Sequence, residues 1–391
     1  MADKPYYPNG SIASVDTLAK VLGVRASFLT SIAKKSKSSY VSFEVETKNK
    51  TRWVYEPKPS LKHIQKKINS RIFTRVHYPS YLMGGIKDTQ KPRDYISNAS
   101  VHAKAETLIS LDIKDFFPNT REVYIKDIFK NLFEFSEEVS STLTSLVSLE
   151  SRLPQGACTS SYVANLIFHN SEYEVVSKLR QRGINYTRLL DDITLSSKKS
   201  LSREEREGAI ALVIAMLTKY DFNLNNKKTK VEYKTNIGST YEVTGAWVRH
   251  GKPKLRKKER NEIRHLVHIV EKKHSENPYN EEYHEIWNRA SGLVAKLARF
   301  GHNNESKKLR ERLKSVLPLY DDAKAETLRV QAIKLIRRKD ANKISYNEGT
   351  KKSVNKMIHD LGILSRTRPD ISKPLRKQIR SCFSGIVFDE T

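Results

Sequence analysis

A short apolar run that closes on a carboxylate, TLISLDI at 107–113, is followed by two β-prone runs that meet at adjacent carboxylates, YTRLLDDITLSS at 186–197. If these runs are neighbouring strands of one sheet, Asp112, Asp191 and Asp192 converge at its end. Three anionic groups held together repel one another unless divalent cations neutralise them, and hard carboxylate oxygens suit Mg²⁺. Two such ions about 3.5–4 Å apart can clamp the attacking and leaving oxygens of an in-line phosphoryl displacement. The pattern therefore points to phosphoryl transfer. An Asp-Asp pair on its own reads as an ordinary turn, because aspartate favours turns by hydrogen-bonding its own backbone. Asp115, in the same DIKD run, reads as a turn or surface acid.

The surrounding pattern sets a frame for those strands. Residues 12–35 predict one or two short helices, the first capped by Ser14 or Asp16. Residues 40–55 alternate around a polar turn at 48–50 and predict a β-hairpin. After Pro57 and Pro59, residues 60–73 place Leu61, Ile64, Ile68 and Ile72 on one helical stripe. Residues 78–97 read as a loop, 121–149 as helix, 152–161 as a Gly/Ser loop, 162–182 as helix and 203–219 as helix. Further strands are expected at 231–234 and 241–250. From 255 onward the pattern is helical, with breaks near 277–278, 301–304, 318 and 349. No internal repeat is visible, and the order indicates an α+β core flanked by helical modules.

Charge narrows the partner. The 391 residues carry 71 Lys and Arg against 44 Asp and Glu, a formal net charge of +27. Self-repulsion on that scale favours a polyanionic partner. Residues 251–391 hold 33 basic and 18 acidic side chains, so the phosphate-binding surface is expected to concentrate there. The plainer reading of each cluster is a solvated helix face. Nucleic acid is favoured over an anionic membrane, because the basic stretches lack a continuous lipid-facing apolar face. The longest apolar stretch, 209–217, is about half of what a bilayer needs, and the N-terminus lacks a signal-peptide core. Two cysteines, Cys158 and Cys382, suit a reducing compartment, so the expectation is a soluble cytoplasmic protein without a membrane partner. The scattered histidines form no zinc pattern.

The run LDIKDFFPNT (111–120), then RLPQGACTSS (152–161), then RLLDDITLSS (188–197) resembles, in order and spacing, motifs A, B and C of the reverse transcriptases. NASVH (98–102) fits the Asn-Ala-x-x-His pattern that retron enzymes carry ahead of motif A. VTG (243–245) fits their Val-Thr-Gly element, and LNNKKT (224–229) resembles the stretch between motifs C and E. LAKVLGV (18–24) and PKPSLKHIQKKI (57–68) look like retron openings. Over residues 15–315 the chain is thus similar to the retron-type bacterial reverse transcriptases. It departs from their pattern at Leu189, where motif C usually has Tyr, at Cys158 and Ser161, where motif B usually has Pro, and at Tyr241-Glu242, where Arg-Gln is common. None of these removes a metal ligand.

The resemblance implies a right-hand polymerase, an α+β fold with fingers, palm and thumb, an antiparallel palm sheet and a helical, basic C-terminal region. Its expected boundaries are an N-terminal helical segment at 1–35, fingers at 36–105 and 118–155, palm at 106–117 and 156–250, thumb at 251–319, and a basic extension at 320–391. Asp112, Asp191 and Asp192 would hold two Mg²⁺ ions. Phe117 would exclude a ribose 2′-hydroxyl, or serve as a core aromatic. Gln155 and Gly156 would lie against nucleotide and template. Arg52 and Lys58 would hold triphosphate, and Lys228 would give a proton to pyrophosphate or contact phosphate. Asn98, His102, Val243, Thr244 and Gly245 would be retron-specific RNA contacts, with His102 alternatively a satisfied structural histidine. The implied reaction copies part of a cognate non-coding RNA with dNTPs, starting from a guanosine 2′-hydroxyl. It yields branched multicopy single-stranded DNA (msDNA) within an anti-phage system that includes an effector protein. Two rival readings are a reverse transcriptase of group II intron or abortive-infection type, and an RNA-binding scaffold with a degenerate polymerase fold. The extension could add RNA binding or dock a partner.

Overall fold

The computed structural model describes residues 3–47, 50–88, 90–340 and 348–384. The middle of the polar turn at 48–50 and the end of the CFSGIVF run lie outside them. The chain divides into two compact units, Met1–Lys254 and Leu255–Thr391.

In the first unit, α1 (Val15–Leu22) begins where Ser14 accepts a hydrogen bond from the Thr17 amide, and it stops at Gly23, whose φ of 62° is the left-handed conformation glycine adopts freely. After α2 (Ala26–Lys34), strands β1 (Tyr40–Thr47) and β2 (Lys50–Pro57) form the expected antiparallel hairpin. Helix α3 (Pro59–Arg71) opens on Pro59 and buries Leu61, Ile64 and Ile68, with Ile72 following them into the core. The segment read as a loop at 78–97 ends as helix α4 (Tyr95–His102). Its start is fixed by Asp94, which accepts from the Ile96 and Ser97 amides at 3.0 and 2.8 Å.

Strand β3 (Thr107–Asp112), α5 (Phe116–Asn119) and α6 (Glu122–Asp127) follow, then a π-helical turn over Ile128–Leu132 and α7 (Glu137–Val147). The stretch expected to be helical at 121–149 forms these pieces, separated where Glu134 takes a φ of 56° and Phe129, Phe133 and Phe135 pack into the core. The helix expected at 162–182 is likewise two, α8 (Ser160–Leu166) and α9 (Glu172–Gln181). Strands β4 (Ile184–Leu189) and β5 (Asp192–Ser197) make the predicted hairpin, and α10 (Arg203–Thr218) starts with a Ser202/Glu205 capping box. After β6 (Lys230–Tyr233), the strand expected at 241–250 shrinks to a two-residue pairing of β7 (Glu242–Val243) with β8 (Ala246–Trp247). Thr244 and Gly245, both at positive φ, reverse the chain between them.

The sheet that matters has the order β4-β5-β3-β6 and is antiparallel throughout. One buried ion pair fastens it to the helices. The Arg188 guanidinium on β4 is fully buried and uses all five of its N–H groups. Two go to the Glu172 carboxylate at 2.6 and 2.8 Å, and the others reach the carbonyls of Ala164, Asn165 and Leu190 at 3.0–3.1 Å. The break between α8 and α9 turns Glu172 inward to meet it, and the Tyr186 hydroxyl adds a third bond to the same carboxylate.

The second unit is helical. Helices α11 (Lys257–Glu276), α12 (Glu281–Arg299) and α13 (Asn303–Ser315) bury Val267, Val270, Val294, Leu297 and Leu313. Helices α14 (Asp322–Asp340), α15 (Glu348–Leu364) and α16 (Pro369–Cys382) close on a core of their own. The break expected near 349 falls beside the start of α15 at Glu348. Among the described residues no helix is long and apolar enough to cross a membrane.

Removing one member of a buried ion pair strands the other without a partner, which costs about 3–5 kcal/mol, whereas replacing both by apolar groups is often near neutral. Arg188→Met is therefore expected to lower the urea-unfolding free energy by about that amount, and adding Glu172→Leu should restore most of it. A single variant as stable as the parent would show that the pair does not hold the sheet.

Candidate active site

The end of β3 places Asp112 directly opposite Asp192, the first residue of β5, while Leu189 pairs with Asp192 on the other side. Opposed residues of an antiparallel pair are about 4.5–5.5 Å apart at Cα with side chains on one face. Asp191 sits in the two-residue turn between β4 and β5, and its carbonyl accepts from the Ile113 amide at 3.0 Å. Leu190, before it, has a φ of 59°, where a residue with a Cβ is strained. The three carboxylates thus share one sheet end, as the spacing predicts.

Their electrostatics show negative charge in excess. Burial, opposed in part by its own backbone hydrogen bond and reinforced by Asp112, raises the Asp191 carboxyl above the ordinary range. Burial and the neighbouring Asp191 and Asp112 carboxylates push Asp192 up to about 6. Lys228 answers part of this charge. The chain after α10 runs beside β3, with the Asn225 amide on the Asp112 carbonyl at 2.8 Å, and the following turn brings Lys228 Nζ to Asp112 Oδ1 at 2.7 Å. That hydrogen bond raises the lysine further above its usual value, so it stays protonated. Among the described residues no three carboxylate, imidazole or thiolate groups close into a ready-made metal cage. The donor set is nonetheless made of carboxylate oxygens under mutual repulsion, which fits a hard divalent cation.

A cavity of about 760 Å³ opens over Asp112 and Asp191 and is also lined by Arg52, Phe117, Gln155 and Lys228, a volume in the range of small-molecule sites. A smaller one of about 250 Å³ lies beside it and includes Asp192, Thr244 and Gly245, again with Asp112 and Lys228. Phe117 is half-buried and touches Phe116 edge-on, so it belongs both to the cavity wall and to the core margin. Gly156 is not part of either lining. Its bare face is turned to β2, where a Cβ would come within 2.6 Å of Val54 Cγ1, so its missing side chain lets the hairpin close on this loop. Lys58 is turned away, its ammonium donating to the Ser38 carbonyl at 2.7 Å.

The residues expected to touch RNA are placed differently. Asn98, His102 and Val243 are sealed from solvent. His102 bridges two strands, Nε2 with Thr187 Oγ1 and Nδ1 with Ser196 Oγ, both at 2.7 Å, and burial pushes its ring down to about 3, which leaves it neutral. The Thr187 hydroxyl donates in turn to Asn98 Oδ1 at 2.5 Å, and Thr244 donates to the Tyr95 carbonyl at 3.3 Å. The Asn-Ala-x-x-His and Val-Thr-Gly elements therefore pack against each other behind the sheet. As a correction, Asn98, His102 and Val243 have no surface to offer an RNA, and only Thr244 and Gly245 reach a groove.

Two features of the site escape sequence reasoning. Arg188 precedes the turn and bonds the Leu190 carbonyl, one residue before Asp191. Gly84-Gly85 lies inside the segment read as a loop and wraps the same turn: a Cβ on Gly84 would lie 2.9 Å from Leu189 Cγ, and one on Gly85 would lie 2.6 Å from Ser161 Cβ. Asn165 and Ser161 of α8 bond the carbonyls of these two glycines at 3.0 and 3.1 Å. A Gly-Gly pair in a polar stretch was the available signal.

Comparison with known proteins gives the following. The family model described as reverse transcriptase (RNA-dependent DNA polymerase) matches residues 32–270. The Retron Se72 reverse transcriptase of Salmonella heidelberg (strain 579083-10) is 42% identical over 381 residues, covering 96% of this chain and 98% of that protein. The Retron Ec48 reverse transcriptase of Escherichia coli is 30% identical over 328 residues, covering 81% and 79%. Among solved structures, telomerase from Candida albicans with a TWJ fragment of telomeric RNA gives a TM-score of 0.41 at 9% identity, over 89% of this chain and 68% of that one.

Asp192 is harder to ionise in the fold than in the unfolded chain, so its contribution to stability is present below about pH 4 and is lost as pH rises through about 6. In chelator, Asp192→Asn should therefore raise the melting temperature at pH 7.5, by about 2 kcal/mol of stability, and the gain should vanish near pH 4. An Asn variant no more stable than the parent at pH 7.5 contradicts the charge excess.

Proposed function

The chain belongs to the retron reverse transcriptases and is an RNA-directed DNA polymerase, and from that premise we propose that it copies part of a structured non-coding RNA encoded beside it. The copy would start from a guanosine 2′-hydroxyl and give a branched RNA–DNA molecule, the msDNA. The observation that carries the reading is the pairing of Asp112 with Asp192 beside the Asp191 turn, under a cavity with cations on its wall.

The roles follow from placement. Asp112, Asp191 and Asp192 would hold two Mg²⁺ ions, which when bound lower the pKa of the attacking hydroxyl and stabilise the pyrophosphate that leaves. Arg52 and Lys228, charged groups facing the carboxylates from the cavity wall, would draw in the triphosphate, and Lys228 carries the proton that the leaving group accepts. Phe117 would stand against the sugar and exclude a 2′-hydroxyl, while Gln155 lines the path of base and template. In right-hand terms, residues 36–105 and 118–155 would form fingers, 106–117 and 156–250 the palm, and 251–319 a thumb that follows RNA through phosphates and 2′-hydroxyls. Action in the cytoplasm, within an anti-phage system and together with an effector protein, is the part of the reading that rests on kinship with the retron enzymes.

The test supplies the purified protein with its flanking transcript, dNTPs and Mg²⁺. DNA synthesis is expected from the parent, with the 5′ end joined through a 2′–5′ branch that a debranching enzyme releases. Asp191→Ala should lose synthesis by at least about 1000-fold (~4 kcal/mol of barrier) while still binding the transcript. Product from Asp191→Ala would remove the carboxylates from the chemistry, and an unbranched 5′ end would remove the 2′-hydroxyl start. Phe117→Ala is expected to raise ribonucleotide incorporation relative to deoxynucleotide by about 10-fold or more. An unchanged ratio would leave Phe117 a core aromatic.

A further inference from the structure

The bundle of α14, α15 and α16 has ends of unlike charge. Its helices are tied at one end: Arg368 donates to Asp322 at 2.5 Å, Thr367 donates to the Tyr320 carbonyl at 2.9 Å, and the Tyr320 hydroxyl donates to Asp360 at 3.3 Å. These bonds join the start of α14, the end of α15 and the start of α16, so the helices run up, down and up. The finishing turns of α14 and α16 then share the far end with the opening of α15. Helices of 14–19 residues put that end about 20–28 Å away.

At the tied end Asp321, Asp322, Glu326, Asp360 and Asp370 stand among Lys324, Arg329, Arg366 and Arg368, and Arg329 and Arg368 pair with Glu326, Asp322 and Asp370, so charge there is largely balanced. Toward the far end stand Lys334, Arg337 and Arg338 of α14, Lys351 and Lys352 of α15, and Lys377 of α16, and none of these six makes a hydrogen bond or ion pair among the described residues. The helices turn apolar residues to the shared core, Leu328, Ala332 and Ile336 on α14 and Leu375 and Ile379 on α16, and the cations are exposed except for Lys351, which is half-buried. Cations in a last turn complement the helix dipole, which accounts for Arg337 and Arg338. Lys351 and Lys352 stand in the opening five residues of α15, where the dipole disfavours them, so the clustering has another cause.

The surface also excludes occupants. Val330 is the single large apolar side chain among the described residues of this bundle that is well exposed, which leaves nothing to enter a lipid surface or to form an apolar interface core. Among the described residues of the bundle, stacking rings, the usual platform for single strands, are not exposed either, for Tyr320 and Phe383 are buried. Cations without rings fit the phosphate rails of a duplex, which is recognised by shape and backbone.

We propose that the cationic end of the α14–α16 bundle is a second RNA site, which grips the phosphates of a double-stranded segment of the RNA and takes no part in the chemistry. The proposal rests on the reading of the chain as a polymerase that takes a folded RNA. The full chain and a variant with Lys334, Arg337, Arg338, Lys352 and Lys377 all changed to Gln are compared for binding a 20-base-pair RNA duplex across a salt series. Extension of oligo(dT) on poly(rA) with dTTP and Mg²⁺ is measured in parallel. Each lost phosphate contact removes about one unit of salt slope. The variant should bind the duplex about 10–100-fold more weakly at 100 mM salt, with a slope smaller by about 3–5, and should keep the parent's maximal extension rate within about 2-fold. Should the fivefold variant unfold by circular dichroism, Lys334→Gln with Lys352→Gln is read instead, with a slope smaller by about 2 expected. Unchanged affinity and slope overturn the proposal and leave an acidic protein surface as the occupant. A parent that binds duplex but extends nothing overturns the polymerase reading while leaving the second site standing.

Discussion

An antiparallel sheet resists like charges at directly opposed positions, and here Asp112 faces Asp192 with Asp191 in the adjoining turn. Burial sharpens the conflict by weakening the solvent that would otherwise screen it. Register must therefore be enforced by groups that are not themselves part of the carboxylate cluster. The structure supplies them behind the sheet end. His102 spans β4 and β5 through Thr187 and Ser196, and Arg188 ties the turn carbonyl to the end of α8 and to Glu172. Each is fully buried and fully bonded, so neither can relax to let the strands slip. The repulsion is then available to be relieved by a cation rather than by movement of the backbone.

How much of this is legible in the sequence depends on separation along the chain. The hairpin around Asp191 and Asp192, the strand ending at Asp112 and the buried stripe of α3 are local patterns, and alternation or helical spacing reveals them. The polar network is not local. His102 meets residues 85 and 94 positions away, and Asn98 accepts from a threonine 89 positions on. A histidine in a polar motif looks the same in the sequence whether it faces a ligand or a strand, and only the fold shows that this one is sealed. Helix ends suffer similarly. The interruption between α8 and α9 has no proline or glycine to announce it, because its cause is tertiary: Glu172 has to reach Arg188.

The net charge of +27 is spent unevenly. Several cations of the first unit are consumed in structural work, Arg188 on Glu172 and Arg93 on Asp88 together with the carbonyls of Tyr78, Pro79 and Leu82. Part of the second unit does the same, as in Arg312 with Glu271 and Arg260 with Glu305. Counting basic residues along the chain therefore overstates the surface left for phosphate. A better guide is which cations lack a carboxylate partner after folding, and among the described residues the far end of the last bundle is one place where such cations gather.

The same reasoning bears on Leu189, which stands where the motif resemblance leads one to expect a tyrosine. Its side chain rests on Gly84, close enough that a Cβ there would intrude to 2.9 Å, and Leu190 lies 3.4 Å from the corresponding point on Gly85. The two leucines therefore act as an apolar buttress that presses the turn onto the glycine loop, with Asn165 and Ser161 holding the loop's carbonyls from the other side. The turn needs such a buttress because Leu190 has a positive φ without being glycine, a conformation that persists only where the surroundings over-determine it. A tyrosine would offer a hydroxyl at this place but less apolar volume matched to the glycines. Leucine at this place thus gives an apolar grip on the turn that carries Asp191, and the carboxylates keep their places.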